Sequence, residues 1–290
     1  MQVTEEMKNV AQEKMDEIVQ KVISSIENNE TAIWSKGWIG GGLPSNYASK
    51  TTYSGFNIIT LMIMQEEENY TSNNWLTFNQ IKKIKGAKLK KGSTSTPVFF
   101  FKILEKKETV DGVEKISKIP LLKFYYVFNL DQVEGIEIGT EKDENLSLNE
   151  FVSNTGITVK NRSEAFYSPR EDYIGMPDLK LFKSAESYAS TLLHELAHST
   201  GHETRLDRDM KDKFGSEGYA REECIAELSS MFLCSHLAIQ NEAKSSEAYI
   251  KNWLVDSLKA EPKLLWKISS EAQKVFNFLT AAQEQEKQAA

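Results

Sequence analysis

The sequence has little cysteine, no long apolar run and no excess of positive charge, and each absence closes off a class of protein. Its two cysteines, Cys224 and Cys234, stand ten positions apart in a stretch with helical periodicity. Ten helical residues span about 15 Å, too far for a disulfide. A disulfide-built secreted module is therefore excluded, and an intracellular, cytoplasmic setting is expected. The apolar run from Ile58 to Met64 is far shorter than a bilayer requires. The polar N-terminus has no apolar core of a leader peptide, so neither a membrane partner nor a secretory signal is expected. Lys and Arg number 35 against 42 Asp and Glu, a net charge of -7, so the chain as a whole is not a basic nucleic-acid binder.

That charge is unevenly spread. Residues 1–140 hold 17 basic and 17 acidic side chains, whereas residues 141–290 hold 18 and 25. Between Asn69 and Leu104 there are seven lysines and no acid, which predicts a local basic patch. With 290 residues, 40% of them hydrophobic, the chain can bury the cores of one large or two ordinary domains.

Apolar spacing predicts a leading amphipathic helix over residues 4–28 and a second helix from Tyr53 to about Glu67. Thr77 and Gln80 have the spacing of a capping box at the start of a short helix that stops at Gly86. Apolar runs at 97–104 and 121–130, with an Asp111-Gly112 turn between them, predict a small antiparallel sheet. The acidic, apolar-poor stretch around Glu141 to Glu144 marks a boundary. The expected division is a first domain over 1–135, a linker over 136–150 and a second domain over 151–290. Short strands between Ala165 and Pro177 are followed by helices at about 184–200, 219–237 and 246–260, and from Pro262 onward. The fold class is α+β, with a small antiparallel sheet and helices in the first half and a mostly helical second half with a short sheet.

The run His194-Glu195-Leu196-Ala197-His198 names a chemistry. Residues four apart on a helix share a face, so His194 and His198 can grip one metal ion, and Glu195 can take a proton from a metal-bound water. This is the signature of zinc metallopeptidases. A catalytic zinc usually has a third protein ligand. His202 shares the face, but an unbroken helix would put it about 12 Å from His194. A carboxylate from the next helix fits better. Glu223 and Glu227 lie on a face with the small residues Ala226, Ser230 and Cys234, which lets that helix come close to its neighbour. Glu223 is expected as the third ligand and Glu227 as the group that holds an imidazole, with an exchange of these two roles left open. His202 and Tyr219, and more weakly Tyr173, are candidates to stabilise an oxyanion. Zinc is the expected ion; manganese or cobalt would also fit two His and a Glu.

In the first half, Lys82, Lys83, Lys85, Lys88, Lys90 and Lys91 could track phosphates, while Trp34, Trp38, Tyr53, Trp75 and Phe78 could stack on unpaired bases. A lysine run is more often a solvated face, and Trp more often core.

Many separated positions together carry a family resemblance. Ala165 to Pro169, Asp172 to Pro177, Phe182, His194 to His202, Arg205-Leu206 and the helix bearing Glu223 and Glu227 resemble the zincin-like metallopeptidase domain of ArdC-type antirestriction proteins. Trp34, Trp38, Pro44, Asn46, Tyr53 to Asn57, Trp75, Thr77-Phe78, Gln80, Gly86-Ala87 and Lys91-Gly92 resemble that family's N-terminal domain, which binds single-stranded DNA. The resemblance adds Asn46, Asn57 and Gln80 to the candidate DNA contacts. It implies a protein of a plasmid, phage or integrative element that protects incoming DNA in a bacterial cell, with single-stranded DNA and a protein substrate, such as a host defence component, as partners. Trp34 to Trp38 reads Trp-Ser-Lys-Gly-Trp, less basic than is usual in that family. Two other readings remain open: a DNA-coating module with a non-catalytic metal site, and a protease of a host regulator with no DNA role.

Overall fold

The structure is a computed structural model and describes residues 5–28, 42–110, 113–136, 147–210, 213–242 and 248–289. Trp34, Trp38, the Asp111-Gly112 turn and the acidic run of the expected linker lie outside the described residues. The chain divides into two compact units that interleave in sequence. The first takes Met1–Lys21, Pro44–Thr52 and Asn57–Glu137, and the second takes Val22–Leu43, Tyr53–Phe56 and Ile138–Ala290.

Helix α1 (Glu5–Glu27) opens the chain. Met15, Ile18, Val19, Val22, Ile23 and Ile26 are buried along one of its faces, at the spacing the sequence predicts. In the first unit, the sheet order is β1 (Ser45–Asn46), β2 (Asn74–Leu76), β5 (Val113–Asn129), β4 (Thr96–Val110). The β1–β2 pair is parallel and the others are antiparallel. The dominant element is the β4–β5 hairpin, in register from Thr96↔Val127 to Val110↔Val113. Its outer strand β4 is guarded by helix α2 (Phe56–Glu67). There the Asn57 amide donates to Phe99 O at 2.8 Å and its carbonyl accepts from Phe99 N at 2.7 Å, occupying an edge that would otherwise be open to pairing. Helix α3 (Phe78–Lys83) starts at the capping box read from the sequence, with both reciprocal hydrogen bonds between Thr77 and Gln80. It is followed by β3 (Lys88–Leu89), which pairs with β6 (Val133–Glu134). Gly135 is required there, because a Cβ would sit 2.2 Å from Gly86 O.

Several residues read from the sequence as DNA contacts are fasteners of this fold. Trp75 is fully buried, so its ring belongs to the core and cannot meet a base unless the sheet opens. Tyr53 is also buried. Asn46 accepts from the backbone N–H groups of Ala48 and Ser49 and exchanges hydrogen bonds with the Gln80 amide at 3.1 and 2.9 Å. Asn57 is engaged with the backbone of Phe99. Trp75 and Tyr53 are buried, whereas Asn57 and Gln80 are partly buried and engaged in hydrogen bonds within the fold. Phe78 is exposed, with Lys82 over its ring at 4.3 Å, and Lys88, Lys90 and Lys91 are exposed.

In the second unit, helix α4 (Leu148–Asn154) leads into a sheet ordered β7 (Thr158–Asn161), β9 (Tyr173–Met176), β8 (Phe166–Ser168). Helices α5 (Ala185–Ser199), α6 (Glu217–His236), α7 (Ala248–Ala260) and α8 (Lys263–Ala289) follow. Ser184 and Ser216 cap α5 and α6 by accepting from the backbone N–H three residues on. The small face of α6 does bring the two helices together: Ser230 Oγ donates to Ser190 O at 2.9 Å, and Ser190 Oγ lies 3.7 Å from Cys234 Sγ. Cys224 and Cys234 are both free thiols, buried in α6. Among the described residues, no helix is long and apolar enough to cross a membrane.

Candidate metal centre

Helix α5 presents His194 and His198 one turn apart, and α6 brings Glu223 opposite them. The two Nε2 atoms are 3.0 Å apart. Glu223 Oε2 lies 3.4 Å from His194 Nε2, and Glu223 Oε1 lies 3.4 Å from His198 Nε2. Ligand atoms about 2 Å from a tetrahedral ion stand about 3.3 Å from one another. Two imidazole nitrogens and a carboxylate at these separations therefore match the donor set and spacing of a divalent cation site, and among the described residues they are the group that could hold one.

Surrounding contacts fix the donors. His198 Nδ1 meets Glu222 Oε1 at 3.2 Å, and donation there leaves the Nε2 lone pair for a cation. Glu222 is itself clamped by Arg208, whose Nε reaches Oε2 at 3.0 Å and whose terminal nitrogen reaches Oε1 at 2.7 Å. The same guanidinium donates to Ala197 O at 2.9 Å and Thr200 Oγ1 at 2.6 Å, so it also satisfies the end of α5. Glu222 is thus the carboxylate beside His198 Nδ1, while the sequence reading expected Glu227 to hold an imidazole. Glu227 is buried one turn further along α6. The physical reason is rotation about the helix axis: Glu222 and Glu223 diverge by about 100° and grip opposite sides of His198.

These contacts govern the protonation of the donors. Burial opposes charge on His198, but hydrogen bonds to Glu222 and Glu223 outweigh it and raise the imidazole to about 10. Burial would raise both carboxylates. The imidazoles instead hold Glu223 far below its ordinary value, and His198 and Arg208 hold Glu222 below its own.

A second arginine ties the sheet to the end of α5. Arg205 Nε donates to Ser199 O at 2.7 Å, and its guanidinium pairs with Asp172 and reaches the Tyr167 hydroxyl at 3.0 Å. The Arg205 hydrogen bond lowers the Asp172 carboxyl, and burial followed by the Asp172 contact raises the Tyr167 phenol. A cavity of about 570 Å³ opens over His194, His198 and Glu223. Glu195, Tyr219, Phe166, Met210 and Phe214 line it. Phe214 is 71% exposed, with its ring 5.1 Å from that of Tyr219.

The remaining candidates are dispersed. His202 lies beyond the end of α5 with Nδ1 at 2.8 Å from Thr204 Oγ1, outside the cavity lining and outside the group that could hold a metal ion. Tyr173 is buried with Lys160 Nζ 3.8 Å from its ring centroid. Of the three oxyanion candidates, Tyr219 alone lines the cavity. Sequence reasoning missed Glu222 and Arg208. Glu222 stood beside the residue chosen as ligand, while a single arginine in a polar loop carried no periodic signal.

A helix-borne pair of histidines with an intervening Glu, a carboxylate from the following helix and a small sheet upstream define a zincin-like domain. A family profile described as a zincin-like metallopeptidase matches residues 146–271, and one described as the N-terminal domain of anti-restriction factor ArdC matches residues 12–128. The metal-free crystal structure of antirestriction ArdC protein from plasmid R388 superposes with a TM-score of 0.78 at 34% identity, covering 93% of this chain and 98% of that one. Its Mn(II)-bound structure gives 0.76 at 32%, covering 92% and 97%. The chain therefore belongs to the ArdC family of antirestriction proteins. Uncharacterized protein y4eC of Sinorhizobium fredii (strain NBRC 101917 / NGR234) is 32% identical over 83% of this chain and 81% of its own length. DNA primase TraC of Escherichia coli is 31% identical over 93% of this chain, which spans only 27% of that relative's length.

Proposed function

We propose that this chain is an antirestriction factor that holds single-stranded DNA with its first half and hydrolyses peptide bonds at a zinc ion held by His194, His198 and Glu223. The observation that carries the reading is the set of separations between the three donors, which suits a bound ion. The Mn(II)-bound relative supports a divalent metal there, and the two-nitrogen, one-carboxylate set suits zinc. When bound, such an ion lowers the pKa of a coordinated water and polarises a carbonyl.

The chain's own residues do the rest. Glu195 lines the cavity beside the ligands and accepts the proton of the attacking water. Glu222, clamped by Arg208, keeps the His198 ring in one tautomer and orientation. The Tyr219 phenol donates to the developing oxyanion. A preserved base beside the ligands favours catalysis over a purely structural ion, which would have no use for Glu195. The domain shared with the DNA primase supports a nucleic-acid setting, in the cytoplasm of a bacterium receiving foreign DNA, with a host defence component as the protein substrate.

The deciding experiment pairs wild type with Glu195→Gln in a plasmid- or phage-protection assay, with metal content and oligonucleotide binding measured on both. Loss of protection by a variant that keeps its metal and its DNA affinity is the expected result. Undiminished protection would overturn the catalytic role and leave DNA coating as the function. Intact protection by a wild type that binds no DNA would overturn the DNA role.

A further inference from the structure

Two of the rings first suggested for base stacking, those of Trp75 and Tyr53, are buried, yet the first unit does carry open rings elsewhere. On β4 and β5, Phe100 is 41% exposed and Tyr125 is 42% exposed, with ring centroids 6.0 Å apart. Side chains two apart on a strand share a face. Phe100 therefore shares its face with Lys102, and Tyr125 shares its face with Lys123. Phe100 and Lys123 are direct cross-strand partners, so all four side chains lie on one face of the hairpin.

We infer that this face of the β4–β5 hairpin is a stacking platform for single-stranded DNA, with Phe100 and Tyr125 receiving bases and Lys102 and Lys123 receiving the flanking phosphates. The inference rests on the DNA-binding reading above and gives it a location. Exposed rings beside cations, here on neighbouring strands, supply the base stacking and phosphate attraction that sequence-tolerant binding of unpaired bases uses. Paired bases keep their faces inside the duplex, so a platform of this kind selects single strands. Charge argues against a second copy of the chain as the occupant. Lysine is depleted at the core of protein interfaces, whereas here it alternates with the rings, and the stretch from Asn69 to Leu104 leading into the face has seven lysines and no acid.

The test is fluorescence anisotropy of the full chain with labelled oligodeoxythymidine and with an abasic oligonucleotide of equal length. Wild type is expected to prefer the base-bearing strand by about tenfold or more. A Phe100→Ala/Tyr125→Ala double variant is expected to lose that preference at an unchanged melting temperature, whereas Tyr125→Phe keeps it. Lys102→Gln/Lys123→Gln is expected to weaken both strands alike and to lower the salt slope by about 2. A double alanine variant that still prefers the base-bearing strand overturns the platform, as does a wild type that binds both strands equally, although general DNA binding then stands. A wild type that binds neither strand overturns the platform together with the DNA reading. Self-association by light scattering that the double variant abolishes, with oligonucleotide affinity unchanged, assigns the face to a second copy and also overturns it.

Discussion

Around His198, polar groups are bonded to other polar groups, whereas on the β4–β5 hairpin aromatic rings lie open between lysines. The first arrangement sets the positions of ligand atoms before any ligand arrives. Arg208 holds Glu222, Glu222 holds His198, and Glu223 spans the two imidazoles. The second arrangement fixes only a face, on which flexible cations and flat rings can accept many sequences. A site for one ion needs distances held to tenths of an ångström, while a site for an irregular polymer needs spacing and charge.

The contrast can be broken by removing its parts. The largest effect is expected from Glu223→Ala, which deletes one of three donors and leaves two imidazoles facing each other. Metal content after dialysis, measured by mass spectrometry, should fall to background, and retention of a full equivalent would remove Glu223 from the ligand set. Next is Trp75→Ala. As a core residue, Trp75 should cost about 3–5 kcal/mol on truncation, read as a large fall in melting temperature. If Trp75 were instead a stacking residue, the loss would appear in DNA affinity with stability intact.

Glu222→Gln sharpens the comparison from the metal side. The amide can still accept from the His198 ring but loses the charged clamp with Arg208. Metal affinity by calorimetry should weaken about 10- to 100-fold while helix content is kept. Glu227→Gln is expected to change metal affinity less, and an equal loss would give Glu227 an imidazole-holding role of its own. The smallest effect is that of Asp172→Asn. The Asp172 carboxyl is lowered by Arg205, so its contribution is fully present above the unfolded pKa of about 3.9 and is lost as pH falls through the lower folded value. Asp172 is partly exposed, so the contribution at neutral pH is about 0.5–1 kcal/mol after screening. Acid unfolding curves of wild type and variant should therefore converge at the lowest pH and separate above it.

The grouping of His194, His198 and Glu223 was legible in the sequence because helical spacing is geometry. Two histidines four apart, with a small-residue face on the following helix, constrain where a third donor can stand, and Glu223 stands there. Glu222 was harder to read, because adjacent glutamates on a helix differ only in direction. Arg208 was illegible, since a loop arginine finds its partner through tertiary packing. In the first half, the capping box of Thr77 and Gln80 was readable because both of its hydrogen bonds are local. Which aromatic residues face solvent was not. Trp75 and Phe100 both sit in strands, and their burial depends on what covers each face of the sheet, which residue type alone does not encode.

The arrangement of α5, the following loop and α6 has a consequence for how the chain folds. Both histidines, the clamping arginine and both gripping glutamates lie within the continuous stretch from His194 to Glu223. Closing so short a loop costs little chain entropy, so the centre has low contact order and its assembly does not wait for distant strands to pair. The β4–β5 hairpin zips along its own register, but its sheet is completed only when β2 pairs with β5 across a long stretch of chain. In pulse-labelled hydrogen exchange, the amides of α5 and α6 are therefore expected to gain protection together, and before those of β2.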